Sequence, residues 1–245
     1  MAQFAAEVPA PRTTLIGRER ELATMRDIFT RRGRRLLTVT GVGGGGKTRL
    51  ALQFAAEMAL DYPRRTWLVE LAGVAAPSLL PISVASALGL SGAIETTVVD
   101  ALTAYLHPQP SLLILDNCEH LVDACASLAE QLLAACPELR ILATSREPLQ
   151  IASERQYRLP TLESPDLDQS PSTAEIAESL AVRLFVACGQ DVAPAFGLTP
   201  ENAPIVARVC TRLGGIPLAL ELAAVRVRVL GSSRFSNDWM TAFAC

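Results

Sequence analysis

Eight consecutive residues constrain this chain more than any other feature: Gly41-Val42-Gly43-Gly44-Gly45-Gly46-Lys47-Thr48. They match G-x-x-x-x-G-K-[ST]. They follow a short β-forming run, Leu36-Leu37-Thr38-Val39-Thr40, and they open a helical pattern with Leu50, Phe54 and Met58 on one face. The residue types have physical reasons. Glycines let successive backbone N–H groups turn inward around an anion. The helix start adds about half a positive charge and free donors. Lys47 adds a full charge, and a unit-charge pair at about 4 Å is worth roughly 4 kcal/mol at an effective dielectric of 20. The hydroxyl of Thr48 suits Mg²⁺ bridging phosphate oxygens. Gly41, Gly43, Gly44, Gly45, Gly46, Lys47, Thr48 and the adjacent Arg49 are therefore candidate phosphate-binding residues. Gly45 adds freedom that raises the entropic cost of ordering the loop.

The chain around this loop alternates strands and helices. Arg18 to Arg32 reads as a helix with Leu22, Met25 and Phe29 on one side, ended by Gly33. Thr66 to Leu71 reads as a strand, followed by helical stretches near Ser78–Leu88 and Thr96–Leu106. Leu112-Leu113-Ile114-Leu115 is a continuous apolar run, as in a strand buried on both faces. Leu121, Val122, Cys125, Leu128, Ala129, Leu132 and Leu133 mark the next helix, and Arg140–Thr144 and Arg155–Leu159 two more strands. This order predicts an α/β fold: a three-layer P-loop NTPase with a parallel sheet covered on both sides. Half the residues are hydrophobic, and 22 Lys and Arg face 25 Asp and Glu, for a net charge of −3. That balance excludes a disordered chain and argues against broad nucleic-acid binding, which needs surplus basic residues.

Three further segments carry chemistry. The apolar strand ends in Asp116, expected to face the loop and hold Mg²⁺ with Thr48. The next position, where a hydrolytic glutamate often stands, is Asn117, which cannot take a proton from water at neutral pH. Glu119 could act as the base, or could cap or solvate the next helix. Ala143-Thr144-Ser145-Arg146-Glu147 closes another strand, where ligand sites of such sheets lie. Arg146 is placed to meet a γ-phosphate, or else pairs with Glu147, and Thr144 or Ser145 could bond water or phosphate. Arg31, Arg32, Arg34 and Arg35 read as a solvated helix end rather than a nucleic-acid patch.

The six cysteines, with no C-x-x-C pair and only two histidines, fit neither a zinc site nor a disulfide scaffold. The N-terminus has no signal-peptide pattern. The longest uncharged stretch, Leu71 to Ile94, contains Pro77, Pro81, Gly73 and Gly89 and is not expected to span a membrane. A cytoplasmic chain with reduced thiols is expected.

Beyond the sheet the pattern becomes helical, a small all-α subdomain. Ser172 and Glu175 fit a capping box, and Ile176, Ala177, Leu180, Ala181, Leu184 and Phe185 form the buried face of that helix. Thr199-Pro200 reads as the next helix start, continuing through Ile205, Val206, Val209, Cys210 and Leu213. Gly214-Gly215 stops it, and Ile216–Leu230 forms a third helix. The resulting division is an N-terminal tail (1–13), a P-loop domain (14–160), a Pro, Ser and Asp-rich linker (161–172), a helical subdomain (173–230) and an atypical C-terminal tail (231–245). That tail, with Trp239 and Phe243, suggests a truncated or frame-shifted end.

Together, Leu15-Ile16-Gly17-Arg18-Glu19, GVGGGGKTRL (41–50), LLILDNCEH (112–120), ILATSRE (141–147) and GGIPLALELAA (214–224) resemble a known family. The series is similar to the nucleotide-binding module of the STAND class of signal-transduction ATPases, the NB-ARC-like group. It looks most like the ATPase region of large bacterial LuxR-type and antibiotic-regulatory transcriptional activators, over about residues 14–230. Val42 and Gly45 depart from the usual Pro and Val of that loop. The resemblance implies that Ile16, Gly17 and Arg18 line the adenine and ribose, and that Lys47 and Thr48 bind phosphate and Mg²⁺. It makes Asp116 the metal-holding acid, Arg146 the sensor arginine and Pro217 a residue packing on the adenine. The implied cofactors are ATP or ADP with Mg²⁺. The implied function is a switch in which nucleotide binds between the two domains, biases their angle, and hydrolyses slowly at most. Alternatives are a turning-over ATPase with Glu119 as base, a truncated interaction fragment that binds nucleotide weakly, and, more distantly, a small-acceptor kinase. Expected partners are nucleotide, self-association or missing regulatory domains, with no membrane and no direct DNA binding by this chain.

Overall fold

The computed structural model describes residues 15–31, 33–58, 60–62, 65–90 and 97–227. The expected tails, Arg32, Trp239, Phe243 and residues 228–230 lie outside the described residues, and the third C-terminal helix, expected over Ile216–Leu230, spans Pro217–Ala224. The chain divides into two compact units, residues through Leu159 apart from Gly44–Gly46, and those three glycines with Pro160 onward.

The first unit is an α/β fold around a five-stranded sheet. Its elements run α1 (Glu19–Thr30), β1 (Leu36–Thr40), α2 (Lys47–Met58), β2 (Thr66–Glu70), α3 (Leu80–Ala87), α4 (Val98–Leu106), β3 (Ser111–Asp116), α5 (Val122–Ala135), β4 (Leu139–Ser145) and β5 (Glu154–Arg158). The strands lie in the order β2-β3-β4-β1-β5, and all pair in parallel. β3 shows why its sequence is apolar throughout. Leu113 and Leu115 enter one core with Val84, Leu102 and Leu132, while Leu112 and Ile114 enter the other with Met25, Leu50 and Phe54. Alternate residues of a strand face opposite sides, so a strand between two helical layers has no polar face to offer. The α1/α2 layer is locked by Phe29 and Phe54, edge to face at 5.3 Å.

This topology puts β4 between the loop-bearing β1 and β3. In parallel register all strands end on one side, Thr40 opposite Ser145 and Leu115 opposite Ala143. That end of an open parallel sheet is where ligands bind.

The second unit contains α6 (Thr173–Glu178), α7 (Leu180–Val192), α8 (Ala203–Arg212) and α9 (Pro217–Ala224). The capping box is formed: Ser172 Oγ accepts from Glu175 N–H, and Ser172 N–H donates to the Glu175 carboxylate at 2.7 Å. Two expectations change here. The single helix through Ile176 and Phe185 is two helices, broken at Ser179, where the backbone is extended. The Glu163 carbonyl accepts both the Ser179 hydroxyl at 2.7 Å and the Ala181 N–H at 3.0 Å, which rewards the break. Ala177 is accordingly exposed rather than core-facing. Thr199-Pro200 opens a turn, not the helix. Thr199 and Asn202 exchange backbone-to-side-chain bonds, and α8 begins at Ala203 with Pro204 in its first turn.

Among the described residues no helix is long and apolar enough to cross a membrane. Two members of the arginine cluster serve structure. Arg31 pairs with Asp27, and the Arg35 guanidinium donates to the carbonyls of Leu133, Cys136 and Pro137 at the end of α5. Cationic donors suit a helix C-terminus.

Candidate functional site

The glycine loop joins β1 to α2, which starts at Lys47 itself. Gly44 and Gly46 have φ of 72° and 92°, a region that side chains with a Cβ rarely occupy. The Lys47 ammonium folds back along the loop and donates to the carbonyls of Gly41 at 2.9 Å and Val42 at 3.0 Å. Burial pushes its pKa below the ordinary lysine value. The Arg146 charge acts in the same direction, while Glu119 and Asp116 oppose it. An anion in the loop would relieve that imbalance.

Asp116 ends β3 buried. Thr48 Oγ1 lies 2.8 Å and 3.0 Å from its two carboxylate oxygens. Thr144, at the end of β4, donates its hydroxyl to Asp116 Oδ1 at 2.5 Å. The same hydroxyl accepts the N–H of Asn117 at 3.0 Å. The hydroxyl of Thr144 is therefore committed to its neighbours, a role the sequence does not reveal. Asn117 adopts a left-handed conformation with φ of 67°, which asparagine tolerates better than most residues. It turns the chain into a short 3-10 segment, Cys118–His120, that carries Glu119.

Glu119 and Arg146 meet. Arg146 Nε lies 3.0 Å from Glu119 Oε1. Arg146 is therefore paired across the strand ends, not with the adjacent Glu147. Its guanidinium also lies against the loop: a Cβ placed on Gly43 would stand 3.7 Å from Nη2. The other oxygen, Oε2 of Glu119, is buried and accepts no hydrogen bond among the described residues. Cys118 and His120 turn to different partners, the Leu115 and Val74 carbonyls.

Arg18 is buried, with Nη1 2.6 Å from Glu21 Oε1 in the first turn of α1. Gly17 before it has φ of 66°, and Ile16 is half-buried. The charges of Glu21 and Arg18 act on Tyr157 of β5, whose pKa is raised chiefly by burial. Arg49 is half-buried in the first turn of α2, and Pro217 is the buried first residue of α9. The structure thus brings Gly43, Lys47, Thr48, Asp116, Glu119 and Arg146 together at the ends of β1, β3 and β4.

Comparison with known proteins gives a family and a fold. Residues 30–152, half of the chain, match the family described as AAA domain. A Mycobacterium tuberculosis protein, provisionally named an HTH-type transcriptional regulator, is 42% identical over 194 residues, covering 79% of this chain and 20% of that protein. An uncharacterized protein of the same species is 37% identical over 218 residues, covering 89% of this chain and 52% of its own length. The chain thus spans between a fifth and about half of these relatives. Among solved structures, a STAND protein with a tetratricopeptide repeat sensor from Pyrococcus horikoshii has a TM-score of 0.54 at 18% identity, over 91% of this chain and 32% of that one. Cdc6p from Pyrobaculum aerophilum has a TM-score of 0.53 at 14% identity, over 92% and 62%. These two likenesses concern the fold. On the family match over half its length, the chain belongs to the AAA-domain family.

Proposed function

We propose that this chain is the ATP/ADP-binding module of a bacterial transcriptional regulator, a nucleotide-dependent switch that hydrolyses ATP slowly at most. Membership of the AAA family implies nucleotide binding. Similarity to longer mycobacterial proteins, one provisionally named an HTH-type regulator, supports the regulatory setting. The observation that carries the reading is the Thr48 hydroxyl held by both oxygens of the Asp116 carboxylate, beside a lysine whose charge is penalised by burial.

In this reading the loop amides and Lys47 bind the β- and γ-phosphates. Thr48 and Asp116 form an all-oxygen donor pair of the kind that hard cations prefer, so they would hold Mg²⁺. Bound Mg²⁺ would supply charge neutralisation for the phosphates. Ile16, Gly17, Arg18 and Pro217 take the base and ribose on the strength of the family resemblance alone. Arg146 is the side chain positioned to sense the terminal phosphate.

Slow hydrolysis follows from the residue that stands after Asp116. A general base must reach the attacking water. Asn117, next to Asp116, cannot take a proton from water, and Glu119 stands further along, on the short 3-10 segment Cys118–His120. That arrangement favours a switch over a turning-over ATPase. Steady-state phosphate release, with and without Mg²⁺, tests this. We expect Mg²⁺-dependent nucleotide binding, weakened by Asp116→Asn, with turnover far below the ~10 s⁻¹ typical of enzymes. Turnover at that typical rate would contradict the switch.

A further inference from the structure

The Glu119–Arg146 pair lies within the proposed nucleotide site and does not follow from a phosphate-binding loop alone. Its two partners differ in freedom. Glu119 is fixed from behind: Asn117 N–H is anchored on Thr144, the Leu121 N–H closes the 3-10 turn on the Cys118 carbonyl at 2.8 Å, and Cys118 sits in the core. Its side chain is 19% exposed, against 68% for that of Arg146. The carboxylate is thus a held acceptor, and the guanidinium is a long arm at the surface. That arm reaches Glu119 on one side and lies against Gly43 of the loop on the other. Arginine binds carboxylate and phosphate with the same fork of donors, so the two anions compete for one cation. The Glu119 charge also acts on Lys47 more strongly than that of Asp116 does. Glu119 faces both cations that a terminal phosphate would use.

We propose that Glu119 sets the discrimination between ATP and ADP, by holding Arg146 as an internal counter-anion that only a terminal phosphate displaces. This rests on the nucleotide-switch reading above. ATP gains Arg146 only by breaking the pair, so its affinity is reduced by the cost of that exchange. ADP carries no terminal phosphate to take the arm and leaves the pair intact. The pair therefore biases the resting module toward ADP, and ATP binding releases the Glu119 carboxylate.

The test is a double-mutant cycle on Glu119 and Arg146, read by calorimetry with ATP and with ADP, both with Mg²⁺, on the full chain. The measured quantity is the ratio of ADP Kd to ATP Kd. Glu119→Gln is expected to raise that ratio about three- to fivefold, the scale of a partly exposed ion pair. Glu119→Asp retains the charge but falls short of Arg146, and it is expected to raise the ratio similarly. In an Arg146→Ala background, Glu119→Gln is expected to leave the ratio unchanged. Retained ADP binding reports that each variant is folded. A ratio unmoved by Glu119→Gln overturns the proposal. So does an increase that persists without Arg146, or one seen with Gln but not with Asp, since either would mark a net-charge effect. If wild type binds neither nucleotide, the switch reading itself fails, an outcome distinct from these.

Discussion

Thr144 holds two neighbours with one hydroxyl, donating to Asp116 and accepting from the left-handed Asn117. That dual use fixes both the acid beside Thr48 and the turn that carries Glu119. Thr144→Val keeps the shape but removes both bonds, leaving the Asn117 N–H without its acceptor. A buried polar group that loses its partner costs about 1–3 kcal/mol. We expect the urea midpoint of Thr144→Val to fall accordingly and that of Thr144→Ser to stay nearer wild type. Equal midpoints for Val and wild type would contradict the role. At this scale the sequence shows which residue types form a phosphate loop, because Gly41–Thr48 is a contiguous pattern. It does not show pairing. Arg146 has carboxylates both next to it and 27 positions away, and only the packing of β4 against β3 selects Glu119.

Helix boundaries show the same division between local and long-range causes. The Ser172–Glu175 box is local, three residues apart, and the sequence announces it. The break at Ser179 depends on the Glu163 carbonyl of the preceding segment, which no helical periodicity registers. Gly214-Gly215 reads as a stop in the sequence, and the structure separates the two glycines. Both have positive φ, 62° and 64°. A Cβ on Gly214 meets nothing within 4 Å, whereas one on Gly215 would fall 1.9 Å from the Leu162 carbonyl oxygen. Gly215 also accepts the Leu162 N–H at 2.9 Å. Gly214→Ala should therefore cost only the left-handed backbone penalty, about 1–2 kcal/mol. Gly215→Ala adds backbone displacement and should unfold at clearly lower denaturant. Equal losses for the two would contradict this account.

Across the molecule, the alternation of apolar strands with amphipathic helices made the parallel sheet legible, and the continuous Leu112–Leu115 run marked a strand buried on both faces. Strand order was not legible, because each strand's neighbours depend on crossovers that carry no sequence signal. The insertion of β4 between β1 and β3 is what brings Thr144 and Arg146 to a site whose loop and acid come from other strands. In the proposed switch this site binds nucleotide through its loop. Calorimetric titration of the full chain with ATP and with ADP, each with Mg²⁺, tests it most directly when wild type and Lys47→Ala are run side by side. Wild type is expected to bind both nucleotides, and Lys47→Ala to bind each at least about tenfold more weakly, the equivalent of 1.4 kcal/mol. Undetectable binding to wild type, or equal affinity for the two proteins, would contradict this.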